Sequence, residues 1–271
     1  MPIVTLVSDF GTKDAYVGTM KGVVLSVNPA AVIIDITHHI EPQNLTQAAY
    51  IIPSVYKYFP ENTVHIIVID PGVGGDRAVL AAKINKHIFL APDNGVLTLL
   101  WKDTEVDAII RVENTRFFLK PVSQTFHGRD IFAPVGAYLS KGIDIRTFGP
   151  TLHKKDVVHL RLNEPYINEN HELVGAVVFV DRFGNCVTNI DESRLNKLRE
   201  TEQDNRLEII IGEKRINGLS HSYCDVEPRN PLAVVGSCGY LEIAVNGGNA
   251  KNYFNIQAGD TIRMSLKHQS G

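Results

Sequence analysis

Residues 3–37, IVTLVSDFGTKDAYVGTMKGVVLSVNPAAVIIDIT, decide the fold. Two short β-branched runs, IVTLVSD and AVIIDIT, flank a helical segment, AYVGTMKGVVLSVNP. A βαβ unit is the economical solution, because parallel neighbours need a crossover long enough to hold a helix. The pattern continues through NLTQAAYIIPSVYKYFP and VHIIVID to about Phe148. It predicts an N-terminal α/β domain over residues 1–160, with a mostly parallel sheet and flanking helices.

From Glu172 the texture changes. Runs such as ELVGAVVFVD, GNCVTNI, RLEIIIG, LAVVGS, YLEIAVNGG and DTIRMSL follow one another with turn residues between them, and only ESRLNKLRE reads as helical. Frequent short strands predict a smaller C-terminal antiparallel β domain over residues 172–271, a sandwich or open barrel. LNEPYINENHE, rich in Pro, Asn and Glu, reads as the linker.

Composition narrows the function. With 271 residues and 44% hydrophobic content the chain has enough apolar mass for two cores. A net charge of -3 with scattered Lys and Arg argues against a nucleic-acid partner and for a small-molecule substrate. Cys186, Cys224 and Cys238 are odd in number and form no CxxC pair, and no charged-then-apolar leader precedes Val4, so a cytoplasmic location is expected. No apolar run approaches the roughly 20 residues of a membrane helix, so no membrane partner is expected.

Ligands of parallel sheets bind beyond the carboxyl ends of the strands. Asp9, Asp35 and Asp70 each follow an apolar run and are read as strand-end carboxylates. In SDFGTKDAYVG, Asp9 suits a vicinal diol, since one carboxylate accepts from two hydroxyls; alternatively it fixes the turn while Asp14 caps the helix. In VIDPGVGGDRAVLAAK, Asp70 and Arg77 face each other across a glycine-rich turn, which otherwise reads as a hairpin. In SQTFHGRDIFAPVGAYL, His127 precedes a helical run starting near Asp130, at the mouth of a cleft or as a structural hydrogen-bonder. His38 and His39 have no Cys or carboxylate at a standard ligand spacing, so no metal is expected.

Asp9-Phe10-Gly11 and the HGRD at 127–130 echo protein-kinase motifs, but in the reverse order and without a glycine-rich phosphate loop, which excludes kinase chemistry. In the second domain, Asp181, Phe183 and Asn185 of VDRFGNCVTNI offer a cation partner, a stacking face and a bidentate amide, or else shape the DRFGN turn. Glu242 in YLEIAV is an acid on an apolar strand and needs a partner if buried.

Six motifs in order, SDFGTKDAYVGTMKGV, IDPGVGGDR, APDNG, TFHGRDIFAP, DRFGNCVTNI and GSCGYLEIAVNGG, resemble the S-adenosylmethionine hydroxide adenosyltransferases, hydrolytic relatives of the fluorinating and chlorinating enzymes. The resemblance spans nearly the whole chain. It implies hydrolysis of S-adenosyl-L-methionine to adenosine and L-methionine by attack at ribose C5′, with no cofactor beyond the substrate itself. It assigns the water to Asp70, Arg77 and His127, the ribose hydroxyls to Asp9 with Asp14 nearby, and the methionine ammonium and carboxylate to Asp181 and Ser237. It gives the adenine to Asn185, Phe183 and main-chain groups near Val245 and Gly247, with Tyr240 and Glu242 as further contacts. Gly128 stands where the halide-using relatives carry a hydroxyl residue, and Cys238 where the halogenating ones carry arginine. The resemblance also implies a homotrimer with sites at subunit interfaces. The competing expectations are a halide-dependent adenosyl transferase and a non-catalytic sensor of S-adenosylmethionine or adenosine.

Overall fold

The computed structural model of the protein describes residues 1–102, 104–199 and 207–266. The chain divides into two compact units, Met1–Leu160 and Arg161–Gly271.

The first unit runs β1 (Ile3–Ser8), α1 (Tyr16–Val27), β2 (Val32–Thr37), α2 (Leu45–Val55), β3 (Val64–Val68), β4 (Val79–Ile84), β5 (His87–Pro92), β6 (Val106–Arg111) and α3 (Ala133–Ser140). Its six strands form one sheet in the order β2-β1-β3-β5-β4-β6. The pairs β2-β1, β1-β3 and β3-β5 are parallel, whereas β4 pairs antiparallel with β5 and β6. The sheet is therefore mixed, parallel where the βαβ pattern ran and antiparallel beyond it. Since β5 lies between β3 and β4, the glycine-rich turn after β3 is a crossover and no hairpin.

Period-two alternation sorts the apolar side chains onto two faces. Val4, Leu6, Ile66 and Val68 pack with Met20 and Val24 of α1 and Val135 and Leu139 of α3. Val7, Ile67, Ile69 and Phe89 pack with Ala48 and Ile52 of α2 and with Trp101. Every residue of β3 is buried, as a central strand covered on both faces requires. Each such Val or Ile contributes about 1.5–3 kcal/mol by leaving water.

Local chemistry sets the helix ends. Asn44 caps α2 by accepting from the Gln47 N–H at 2.9 Å. Pro53 removes a donor from the last turn, and α2 ends at Val55. α1 begins at Tyr16 with Ala15 at the cap position and no side-chain capping bond, so Asp14 does not cap it. A π-helical turn, Gly128–Phe132, leads into α3.

The second unit runs β7 (Tyr166–Ile167), β8 (Leu173–Val180), β9 (Cys186–Asp191), α4 (Glu192–Arg199), β10 (Leu207–Ile211), β11 (Lys214–Asn217), β12 (Pro231–Val235), β13 (Tyr240–Val245), α5 (Ala250–Phe254) and β14 (Thr261–Leu266). One antiparallel sheet has the order β11-β10-β14-β8-β9-β13-β12, with β7 also on β8. Ser220, just past β11, bridges Val234 of β12 and draws the two ends of that order together around a core of Ile190, Ile209, Leu241, Ile243 and Ile262. The stretch expected as a linker supplies β7, whose Tyr166 and Ile167 pair with Val174 and Leu173.

A buried polar knot lies in the first unit. His65 Nδ1 is 2.7 Å from Thr5 Oγ1, its Nε2 is 3.2 Å from His87 Nδ1, and its ring stacks on Phe89 at 4.9 Å. Burial, helped by His87, lowers the His65 pKa from 6.5 to about 3. The unfolded chain therefore binds a proton near pH 6.5 that the folded chain refuses until about pH 3. Stability contributed by neutral His65 is complete above that window and falls as pH drops through it, by about 1.4 kcal/mol per pH unit. Urea unfolding of wild type and His65→Gln between pH 7 and about 4 should show the steeper loss in wild type; equal slopes refute the assignment.

Candidate active site

Parallel pairing of β1 and β3 sets Ser8 opposite Val68, so the loops after both strands leave the sheet side by side. Asp9 follows β1 directly, and Asp70 follows β3 after Ile69. Between them opens a cleft of ≈ 390 Å³ whose walls include Asp9, Tyr16, Gln43, Asp70, Phe126 and His127. That volume falls within the range of small-molecule sites. A wider hollow of ≈ 470 Å³ lies at the opposite, amino ends of β1 and β3, but its charged lining residues are otherwise engaged: Glu61 pairs with Lys86, and Lys141 donates to the Val27 carbonyl.

Arg77 organises one wall of the cleft. Its Nε donates to both Asp70 oxygens at 2.9 Å, and one Nη donates to Asp70 Oδ2 as well. The same Nη lies 2.8 Å from His127 Nδ1. The side chains of Asp70 and Arg77 are only 5% and 12% exposed, so water screens this fork little. Guanidinium only donates, so His127 Nδ1 must accept, and the neutral ring carries its proton on Nε2. Burial, reinforced by Arg77, holds the His127 pKa below its ordinary value, while Asp70 and Asp130 pull the other way.

Neighbours that sequence reading missed hold this wall. The Asn94 amide donates to the Ile69 carbonyl at 2.8 Å, fixing the chain immediately before Asp70. Fully buried Asp130 takes the Ser123 N–H at 2.8 Å and the Arg129 side chain, anchoring the loop that carries His127. The two loops touch at Gly74, where φ is +79° and a Cβ would sit 2.2 Å from the Gln124 carbonyl oxygen. Only glycine permits that approach. Phe10, Tyr16 and Phe126 form an edge-to-face and tilted aromatic trio with centroid separations of 5.1 to 6.0 Å. The signals for Asn94 and Asp130 lay inside the quoted motifs APDNG and TFHGRDIFAP, without a role attached.

Across the cleft, Asp9 Oδ2 accepts from the Gln43 N–H at 2.8 Å. Asp14 is exposed and absent from the cleft walls. Asp35 is not a strand-end residue: it lies within the edge strand β2, where it pairs with Lys21 at 2.6 Å and His38 at 3.0 Å. Burial opposes its ionisation, but those two partners outweigh it and keep the carboxyl below its ordinary pKa. Among the described residues no three His, Cys, Asp or Glu side chains gather as metal ligands.

In the second unit, Asp181 follows β8. Its Oδ1 accepts from the N–H groups of Phe183 and Asn185, both at 2.8 Å, and its Oδ2 from Asn185 Nδ2 at 3.0 Å. These residues do shape the DRFGN turn, and Phe183 stands 76% exposed. Glu242 of β13 faces Val187 of β9, and Tyr240 faces Asp191, so the sheet register separates two groups. Val245 and Gly247 lie at the end of β13 that meets the start of β9, next to Asn185. Tyr240 and exposed Ser237 lie at the other end, where the Gly236 N–H closes the turn onto the Tyr240 carbonyl at 2.9 Å. Buried Glu242 accepts from the Tyr223 hydroxyl at 3.0 Å. Its pKa is raised by burial and by the Asp181 charge, against the Tyr223 bond. A Cβ on Gly236 would fall 1.8 Å from its carboxylate, so any larger residue there would displace the Glu242 side chain.

Comparison with known proteins identifies the family. The model of the SAM hydroxide adenosyltransferase N-terminal domain matches residues 4–149, and that of the C-terminal domain residues 175–263. The chain is 34% identical to (R)-S-adenosyl-L-methionine hydrolase of Methanocaldococcus jannaschii, over 97% of this chain and 96% of that one. It is 32% identical to the enzyme of the same name from Thermus thermophilus, over 96% and 98%. A fluorinase of Nocardia brasiliensis is more distant, 28% identical over 98% and 97%. Among solved structures, an uncharacterized conserved protein from Thermotoga maritima superposes with a TM-score of 0.89 at 38% identity, covering 97% of this chain and 99% of that one. The chain belongs to the SAM hydroxide adenosyltransferase family.

Proposed function

We propose that the protein is an S-adenosyl-L-methionine hydrolase, forming adenosine and L-methionine by attack of water at ribose C5′. The observation that carries this reading is the Asp70–Arg77–His127 cluster on the wall of the cleft that also presents Asp9. The sulfonium of the substrate is already a positively charged leaving group. The enzyme therefore has to orient one water, remove its proton as the bond forms, and keep other nucleophiles away.

The hydrogen-bond directions assign roles. Neutral His127, with Nδ1 filled by Arg77, offers its Nε2–H to one lone pair of the water. Asp70 keeps lone pairs beyond those that Arg77 uses and takes the departing proton. The second water lone pair forms the O–C5′ bond, the C5′–S bond breaks, and its electron pair stays on sulfur as the neutral thioether of methionine. Arg77 stabilises the hydroxide character as it develops. No metal and no cofactor other than the substrate takes part. Asp9, one oxygen anchored by Gln43, directs the other at the ribose hydroxyls. A hydroxyl side chain at Gly128, the feature of the halide-using relatives, would bring its Cβ to 3.2 Å from Met20 Sδ and from the Phe126 ring. Glycine at this position leaves no side-chain hydroxyl to hold a halide, which favours water as the nucleophile.

For the second unit the proposal keeps the roles that the family resemblance implies: Asp181 and Ser237 for the methionine ammonium and carboxylate, and Asn185, Phe183, Val245 and Gly247 for the adenine. Tyr240 and Glu242 complete the set. We assign the functional form to a homotrimer, for which light scattering should return three times the 30.0 kDa chain mass. Three free cysteines, one exposed, favour a reducing cytoplasm.

Incubation with S-adenosyl-L-methionine, dialysed against chelator and with excess chloride, should yield adenosine and methionine in equal amounts. Appearance of the 5′-chlorinated nucleoside refutes the nucleophile, and saturable binding without turnover refutes catalysis. Asp70→Asn should lower kcat by about 10²–10⁴-fold while adenosine binds within a few-fold of wild type. Asp9→Ala should instead weaken adenosine itself by about ten-fold or more, measured by calorimetry. Wild-type turnover in the first variant, or wild-type affinity in the second, removes the corresponding role.

A further inference from the structure

We infer that His38 is a positioning residue for Asp9, setting the carboxylate in the orientation that receives the two ribose hydroxyls. This inference rests on the diol assignment above. A single residue grips the Asp9 loop at both ends. His38 Nδ1 is 2.7 Å from Ser8 Oγ, and the His38 carbonyl accepts the Gly11 N–H at 2.7 Å. Only Asp9 and Phe10 lie between those two bonds. Both side chains of the first contact are buried, Ser8 at 2% and His38 at 4% exposure, so water offers no substitute partner.

The same segment supplies the third hold. Gln43, five residues after His38, donates its N–H to Asp9 Oδ2 at 2.8 Å from a left-handed backbone conformation, φ 63°. Such a conformation persists in a non-glycine residue only when its surroundings impose it. Here the Glu41 N–H donates to the Gln47 side chain at 2.8 Å, and Ile40 is buried. The stretch from His38 to Gln43 is thus a rigid cradle around the Asp9 loop, and His38 is its first anchor.

Polarity runs one way through the anchor. His38 Nε2 lies 3.0 Å from Asp35 Oδ1, within ion-pair reach though off the line of a good hydrogen bond. A carboxylate only accepts, so Nε2 carries a proton; in the neutral ring Nδ1 then accepts and the Ser8 hydroxyl donates. The Ser8 oxygen is then left to receive the Phe10 N–H at 3.4 Å. The Ser8–His38–Asp35 set resembles a hydrolytic triad in composition only, because the Ser8 hydroxyl is buried.

The test compares adenosine with 2′,3′-dideoxyadenosine, which lacks the diol, by calorimetry. Wild type should prefer adenosine. His38→Leu should lose about ten-fold of that preference while dideoxyadenosine binds within about two-fold of wild type. His38→Asn, whose side-chain oxygen can accept from Ser8, should restore most of it. Ser8→Ala, which deletes one hydroxyl, carries the same test if His38→Leu does not fold. An unchanged preference, or equal weakening of both nucleosides, overturns the positioning role. Absence of any preference in wild type overturns the diol assignment itself, and this inference with it.

Discussion

The constraint on which the site depends is the parallel register of β1 against β3. Ser8 opposite Val68 means that the two chains reach the sheet edge together, and Asp9 and Asp70 emerge within one residue of the same level. Parallel strands need covered faces, and α1, α2 and α3 provide them. An antiparallel neighbour to β1 would have sent the second carboxylate to the opposite edge. The chemistry therefore belongs to the crossover topology before it belongs to any side chain.

Within that frame, the Asp70–Arg77 pair is a costly device. Two charges removed from water are tolerated only when geometry and further hydrogen bonds compensate, and a buried pair is weak evidence for stability. Its use here is directional. A guanidinium that donates to a carboxylate on one side and to an imidazole on the other leaves neither partner a choice of tautomer or rotamer. Asn94 and Asp130 serve the same end from behind, each binding backbone that a functional side chain follows.

Much of this was legible in the residues, and the misses share a cause. The β1–α1–β2 pattern, the change of texture near Glu172 and the approach of Asp70 to Arg77 followed from periodicity and loop chemistry. Asp35 was misplaced because the apolar run stops before the strand does: β2 continues pairing with β1 through Thr37, with an irregularity after Leu6. The antiparallel hairpin of β4 and β5 turns on Asn85 and Lys86, both at positive φ, where a glycine would have announced the turn. Asn94 reaches the Ile69 carbonyl and His38 the Ser8 hydroxyl from positions distant in sequence, so the motifs that contain them carry no mark of those partners. In the second unit, a turn-forming Asp181 and a ligand-binding one use the same residue in the same place, so composition could not separate them.

The aromatic trio of Phe10, Tyr16 and Phe126 has a mechanical consequence. Phe10 adjoins Asp9 and Phe126 adjoins His127, and the two rings meet at 6.0 Å with Tyr16 against both. A displacement of either loop must carry the other with it. In a displacement reaction, nucleophile and electrophilic carbon must stay aligned to a fraction of an ångström. The trio links the loop that carries Asp9 to the loop that carries His127, so a shift of one is resisted by the other.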